Sequence, residues 1–425
     1  MNQNLANAET YVGPKPKTSI RWTSVAPTLL VIWIIGMIDK IGVAVVATNR
    51  NFLSEMHLMG NNALIGSLVS ALLFSYGIGF FVWGWLVDKF GPKRCAIWGL
   101  SLWALSTLLA AVTPNFQLLF ISRIVLGFSE AFLWPVSNSL TARWFPTHER
   151  GRAKSIWVNG TNIGPAISGF VVTLLIHQFQ WRGVFWFLTV FAALVCIPMI
   201  VFLIKDNPRD DKRVSSVELE HIQQLHEAIV NHSLEPRRNA WSFPLVIISF
   251  TATIYGVFGL GTWFPTYLAV AKHISPAAAS GYILLAWALG IPTMFIAGRM
   301  TDKTHKKAIW NVWAFIACGI LLFLAGGMSS PIISVLLVAL AICLVNGVTT
   351  FIAHSLLHSM STVDRMGKDA GIMTGVSNIL GAFGPAVMGA LISLGKGQYS
   401  YAFAFLIVSF FVGAVCSFVL KRQGY

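Results

Sequence analysis

The sequence predicts an all-α membrane protein of twelve transmembrane helices in two pseudo-symmetric six-helix halves. Three observations carry that prediction. Only 11% of the 425 residues are charged and 56% are hydrophobic, whereas soluble domains average about 25% charged residues. Apolar runs recur along the whole chain, each close to the roughly 20 residues that cross about 30 Å of hydrocarbon as a helix. Two short patterns also repeat at offsets of 214 and 220 residues, about half the chain: Gly84-Trp85-Leu86-Val87-Asp88-Lys89 with Gly298-Arg299-Met300-Thr301-Asp302-Lys303, and Gly164-Pro165-Ala166 with Gly384-Pro385-Ala386. Such offsets mark parallel repeated halves.

Taken in order, the predicted spans of the first half are 24–46, 64–87, 95–113, 116–141, 155–177 and 182–204. Those of the second half are 243–268, 279–299, 308–327, 330–356, 370–394 and 399–420. This divides the chain into a tail (1–23), a first half (24–204), a linker (205–242), a second half (243–420) and a final tail (421–425). The linker contains Ser215-Ser216-Val217-Glu218, a capping-box pattern ahead of Leu219, Ile222 and Leu225. A short amphipathic helix lying against the cytoplasmic ends is expected there, tethering the halves.

A net charge of +14 raises the question of nucleic acid, but the position of the charge excludes that class. Of the 30 Lys and Arg, only Arg50, Arg182, Lys272 and Lys396 fall on one side of these spans, and Lys40 and Arg123 lie within them. The other 24 share the opposite side with both tails and the linker. That asymmetry orients a membrane protein with its basic side in the cytoplasm. A multi-pass protein of the inner (plasma) membrane with both termini cytoplasmic is expected, in contact with the lipid bilayer. The five Cys show neither disulfide nor metal spacing, and no cleavable leader is evident in the first 20 residues. No phosphate loop, zinc pattern or nucleophile–base pairing appears, so an enzyme is not expected.

Charges inside the spans are few. Asp39 and Lys40 fall in the first, Arg123 and Glu130 in the fourth. Each costs roughly 2.5–3.5 kcal/mol on insertion scales, so four in one half call for a watered or mutually paired site. Arg123 and Glu130 are seven residues apart, two turns along one helix face, with Gly127 between them leaving room for a ligand or a neighbouring helix. Counted from Arg50 and Pro114 at the outer ends, Asp39 and Arg123 lie at depths within about 3 Å of each other and can meet. Burial favours a protonated carboxyl and a nearby cation opposes it. An anion competing for Arg123 or Lys40 therefore links substrate binding to protonation of Asp39 or Glu130. A fixed ion-pair network is the alternative reading of the same four residues.

Neutral polar residues within the spans are weaker candidates for a substrate site. They are Tyr76 in the second span, Asn159, Thr161 and Asn162 in the fifth, His354 in the tenth and Asn378 in the eleventh. Each reads equally well as a helix fastener or core residue.

Gly84-x-x-x-Asp88-Lys89-x-Gly91-x-Lys93-Arg94 resembles the signature loop of the major facilitator superfamily. Its Asp at a helix end, its cations and its Gly-permitted turn suit a gate that holds helix ends together, and Asp302 is the counterpart in the second half. Ile38-Asp39-Lys40, Arg123 through Glu130, Arg143-Trp144-Phe145-Pro146-Thr147-His148-Glu149-Arg150 and the run from Asp206 to Glu218 resemble the anion:cation symporter family. That resemblance implies alternating access and import of a small organic anion, a sugar acid or another carboxylate. Import would be coupled to protons through Asp39 and Glu130, with the proton gradient as energy source and no cofactor. The family commonly has Arg where this chain has Lys40, a point charge in place of a planar fork, which bears on the choice of anion. An efflux pump and an anion exchanger are the competing readings. A monomer suffices for this architecture.

Overall fold

Long apolar helices account for nearly all of the described residues. The structure, a computed structural model, describes residues 19–425 apart from 48, 60–61, 147–148, 221, 223–239, 275 and 305. A π-type turn at Arg21–Val25 leads into α1 (Ala26–Val46). Next come α2 (Asn62–Phe90) and α3 (Pro92–Val112), joined by the single residue Gly91 at φ 87° and ψ 153°. Only glycine adopts that conformation readily, and Pro92 starts the next helix without needing its missing N–H. Asn115 caps α4, accepting from the Leu118 N–H at 3.0 Å; α4 runs from Phe116 to Glu130 and resumes at Leu133–Trp144.

The segment Arg150–Leu203 is 54 residues of apolar helix. At 1.5 Å per residue it would extend about 80 Å if straight, far more than one crossing needs. It breaks at Gln180 (φ 58°, ψ −176°), so it supplies two crossings, α5 (150–179) and α6 (181–203). Among the described residues, the eleven apolar helical stretches thus make twelve spans. The last six are α7 (Ser242–Thr266), α8 (Pro276–Thr304), α9 (Lys307–Gly327), α10 (Pro331–Met360), α11 (Val363–Leu394) and α12 (Ser400–Arg422). No strand occurs among the described residues. Phe74, Phe170, Leu194, Phe202, Phe323 and Phe411 lie exposed on the outer faces, an apolar surface that suits lipid rather than water. The protein is a multi-pass membrane protein.

Helices begin or end beyond the predicted limits wherever polar residues extend a helix past the hydrocarbon. Helix α5 starts at Arg150 rather than 155, α8 continues to Thr304 and the main helix of α11 starts at Met366. The first shift corrects the sequence reading, because it brings Lys154 inside the bundle, where it is fully buried.

The two groups of six meet along α2 with α11 and α5 with α8. Both contacts use the repeated Gly-x-x-x-Asp pattern. A Cβ on Gly84 would stand 2.7 Å from the Gly367 carbonyl oxygen, and one on Gly298 would stand 3.0 Å from that of Gly151. One turn on, Asp88 accepts from the N–H groups of Gly367 (2.8 Å) and Lys368 (2.7 Å). Asp302 accepts from those of Gly151 (3.1 Å) and Arg152 (2.9 Å). Each carboxylate caps the start of a helix in the other group, where the unpaired N–H groups and the helix dipole favour negative charge. Further inward, Asn159 Nδ2 reaches the Ile291 carbonyl at 3.4 Å. Among the described residues, no hydrogen bond joins the groups on the far side of that one.

Ser215 Oγ accepts from the Glu218 N–H at 3.1 Å, the first half of the predicted capping box. The other half does not form. Glu218 is fully buried and turns to the start of the chain instead, accepting from Ser19 Oγ (2.6 Å), Ile20 N (3.1 Å) and Arg21 (2.8 Å). Arg21 also pairs with Glu149 at 2.8 Å. The helix is seen over residues 216–220 and at Ile222; the remainder of the expected linker helix, and the tail before residue 19, lie outside the described residues.

Candidate functional site

Helix α1 places Asp39 and Lys40 on diverging sides, because adjacent helical residues differ by about 100°. Asp39 faces α3 and α4. It is fully buried, accepts from Trp103 Nε1 at 2.5 Å and lies 3.7 Å from Arg123 Nη1. Arg123 is fully buried too, with its guanidinium 5.0 Å from the centre of the Phe185 ring. Lys40 faces α2 and α4: its ammonium lies 3.5 Å from Glu130 Oε2 and 3.7 Å from the centre of the Tyr76 ring. The four charges therefore form two ion pairs whose basic and acidic partners alternate between α1 and α4. Buried charges are tolerated when paired in this way.

Access separates the two pairs. Asp39, Arg123 and Glu130 have fully buried side chains, whereas the Lys40 side chain retains 18% of its exposure. A cation that is partly open, flanked by an aromatic face and one carboxylate, can exchange its partner for an arriving anion. Arg123 cannot do so without a rearrangement around Asp39. The face left by Gly127 is occupied by protein, since a Cβ there would strike the Leu72 carbonyl oxygen and Ser75 Oγ. Of the two uses open to Gly127 in the sequence, the close approach of α2 and α4 is the one realised.

The remaining neutral candidates lie on α5, α10 and α11. Asn159 Nδ2 donates to the Ser155 carbonyl at 2.7 Å, and Asn162 Nδ2 donates to Asn159 Oδ1 at 3.2 Å. Asn162 Oδ1 is left without a hydrogen bond, close to Gly290 of α8. Thr161 bonds back to the Val158 carbonyl at 2.7 Å, and Asn378 to that of Thr374 at 2.8 Å. Asn159 and Asn162 thus lie at the seam between the two groups of helices, whereas the printed bonds of Thr161 and Asn378 stay within their own helices. His354 is placed differently from a cavity residue: it is fully buried, stacked on Trp134 at 3.8 Å with an interplanar angle of 2°.

The Major Facilitator Superfamily profile matches residues 28–367, most of the chain. The chain belongs to the major facilitator superfamily. It is a transporter and not an enzyme. This facilitator is 26% identical to the "Probable sulfoacetate transporter" of Cupriavidus necator over 92% of both chains. It is 23% identical to the hexuronate transporter of Bacillus subtilis, covering 89% of this chain and 90% of that one. It is 24% identical to "Probable anion transporter 3, chloroplastic" of Oryza sativa over 77% of its own length, spanning 65% of that longer protein. These relatives agree with the anion-carrier resemblance read from the residues. The structure of a proton:xylose symporter superposes with a TM-score of 0.72 at 15% identity, covering 93% of this chain and 95% of that one. At that identity the likeness is one of fold.

The facilitator's signature loop divides its work. Asp88 reaches across to α11, as above, while Lys93 holds α3 to the end of α6: its N–H donates to Asp206 Oδ1 and its ammonium to the Val201 carbonyl, both at 2.7 Å. Gly91 packs beside the same Asp206 carboxylate, 2.9 Å from where its Cβ would be. Lys89 lies over the Trp85 ring at 4.6 Å, and Arg94 is exposed.

Three residues of the central charges and the seam were not singled out in the sequence. Trp103 is the hydrogen-bond donor to Asp39; an indole in a Trp-rich membrane protein carries no distinguishing signal. Asn138 sits in the polar triple Ser137-Asn138-Ser139 within an apolar run, a signal that was available. Its Oδ1 lies 3.0 Å from His358 Nε2 and its Nδ2 lies 3.4 Å from His354 Nδ1. Lys154, in Arg150-Gly151-Arg152-Ala153-Lys154, reads as one more flanking cation, yet its ammonium donates to the His354 carbonyl.

Proposed function

We propose that this facilitator imports a small organic anion, a carboxylate or sulfonate, together with protons by alternating access. The observation that carries the reading is Lys40, partly open and held between Glu130 and the Tyr76 ring. The four charges are formally balanced, so an added anion on Lys40 displaces Glu130 from its cation. A carboxylate that loses its cation in a dry site is readily neutralised by a proton. Anion and proton then stabilise one another's binding, which is what symport requires. Asp39, held by Arg123 and Trp103, is the second coupling group. Asn159, Thr161, Asn162 and Asn378 are the groups assigned to neutral polar atoms of the substrate.

Sugar acids and short sulfonated or carboxylated acids are the substrate classes favoured, in keeping with the names that the relatives carry. The basic end faces the cytoplasm by the charge asymmetry, which puts both termini there and the protein in the inner membrane. In that orientation, the caps at Asp88 and Asp302 close the cytoplasmic side and the site is reached from outside. The proton gradient supplies the energy without a cofactor, and a monomer is sufficient.

Uptake of labelled small carboxylates and sulfonates into proteoliposomes, with and without an inward proton gradient, tests this beside Asp39→Asn and Glu130→Gln. Gradient-driven accumulation that both variants lose is the expected result. Uptake indifferent to the gradient but stimulated by anion loaded inside would replace symport with exchange and leave the acids structural.

A further inference from the structure

A second basic cluster lies between the central charges and the closed end, and the coupling scheme makes no use of it. Lys154 of α5 is fully buried, as is His354 of α10, and His358 is nearly so. The Lys154 ammonium donates to the His354 carbonyl, and no ion pair joins it to a carboxylate among the described residues. Among the described residues, His354 Nε2 and His358 Nδ1 have no hydrogen-bond partner. Lys307 lies near, donating to the Ser355 carbonyl (3.1 Å) and Ser359 Oγ (2.7 Å), and Arg150 donates to the carbonyls of Phe145 (3.0 Å) and Ala142 (2.9 Å). Asp302 is the acidic group whose charge acts on Lys154, and its oxygens are already taken by Gly151 and Arg152. Among the described residues, the charge of Asp302 acts on both Lys154 and Lys307, so the two ammonium groups share one carboxylate.

A buried ammonium held by a single carbonyl is a costly way to fasten two helices, since its desolvation amounts to several kcal/mol. The contact also crosses the seam: Lys154 belongs to the first six helices, and His354 and His358 to the last six. Parting of the halves at the basic end separates Lys154 from its carbonyl and the two rings from Asn138, which frees their polar atoms. We propose that Lys154, with His354 and His358, forms a second anion-binding site that is uncovered only in the state open to the basic side. It would take the same class of carboxylate or sulfonate as Lys40. Arriving there lets the anion leave Lys40 without crossing an apolar stretch unaided, while Glu130 recovers its cation. This inference rests on the transport reading above.

The test compares saturation kinetics from the two faces in proteoliposomes of known orientation, for the wild type, Lys154→Met and Lys40→Gln. Lys154→Met removes a desolvated charge at similar volume, a change that is often neutral or stabilising, so its melting temperature should not fall. The proposal expects KM from the basic face to rise about tenfold, one charge-assisted contact of some 1.4 kcal/mol, with KM from the opposite face unchanged. Lys40→Gln should raise both. A Lys154→Met protein with a lower melting temperature and equal KM changes from both faces would make Lys154 a structural clamp and overturn the proposal. Unchanged kinetics from both faces would overturn it as well. Wild-type protein with no saturable anion uptake from either face would instead remove the transport reading itself, and this site with it.

Discussion

At the scale of single residues, Lys40 and Glu130 divide the work between binding and coupling. Lys40→Gln removes the accessible cation and keeps a polar side chain of similar length. A hydrogen bond to a charged group contributes about 1.5–3 kcal/mol, so KM for the anion should rise roughly 10- to 100-fold in saturation uptake. An unchanged KM would show that the anion binds elsewhere. Glu130→Gln keeps Lys40 supplied with a neutral acceptor. It is expected to abolish accumulation driven by the proton gradient while anion-for-anion exchange continues, measured as counterflow in preloaded vesicles. Loss of both activities would place Glu130 in the framework of the site instead. Trp103 acts through Asp39: Trp103→Phe removes the 2.5 Å donor and should shift the pH profile of uptake with little change in KM.

At the scale of elements, glycine decides how closely helices approach. A side chain on Gly371 of α11 would meet the Phe80 carbonyl oxygen and, at 2.9 Å, the Gly84 Cα of α2. Forcing larger groups into a packed contact costs typically about 1–3 kcal/mol. Gly371→Leu is therefore expected to lower the melting temperature and to bias the protein toward the state in which α2 and α11 have parted. Thermal denaturation followed by size-exclusion chromatography reads the first effect. A melting temperature equal to that of the wild type would mean that the two helices do not pack this closely. The linker shows a similar dependence on neighbours. Its capping box is half formed, because Glu218 finds stronger donors in Ser19, Ile20 and Arg21 than in its own helix start.

At the scale of the whole molecule, the closed end rests on two carboxylate caps related by the internal repeat. Replacing a capping group costs about 0.5–2 kcal/mol, and every 1.4 kcal/mol shifts a two-state equilibrium about tenfold. Asp88→Asn and Asp302→Asn should each move part of the population toward the state open at the basic end, and the double variant should move more. Spin labels at positions 94 and 306 would report this as a growing long-distance component. A distribution unchanged in the double variant would show that the apolar contacts of α2 with α11 and α5 with α8 hold the gate unaided. The same expectation gives the double variant easier access of the anion to Lys154 from the basic face.

Much of this was legible in the chain itself, for physical reasons. A bilayer demands long apolar helices with internally satisfied backbones, so hydropathy alone yields twelve spans, including the turn near Gln180. Ionisable residues are costly in hydrocarbon, so Asp39, Lys40, Arg123 and Glu130 stand out against their surroundings, and helical rise suffices to bring Asp39 level with Arg123. Repetition of Gly-x-x-x-Asp reveals the two halves. Beyond the level shared by Asp39 and Arg123, partner choice across space was not legible. That Asp39 takes Arg123 and Trp103 while Lys40 takes Glu130 and Tyr76 depends on how α1 is rotated against α3, α2 and α4. Nor does any local pattern state that Asp88 and Asp302 each cap a helix of the opposite half. Lys154 makes the point most plainly: beside Arg150 and Arg152 it reads as a solvated flanking charge, and only the packing of α5 against α8 and α10 buries it. Covalent order and the cost of charge in lipid set the number of helices and their embedded charges; the rotations and seams of the packed bundle decide which charges meet.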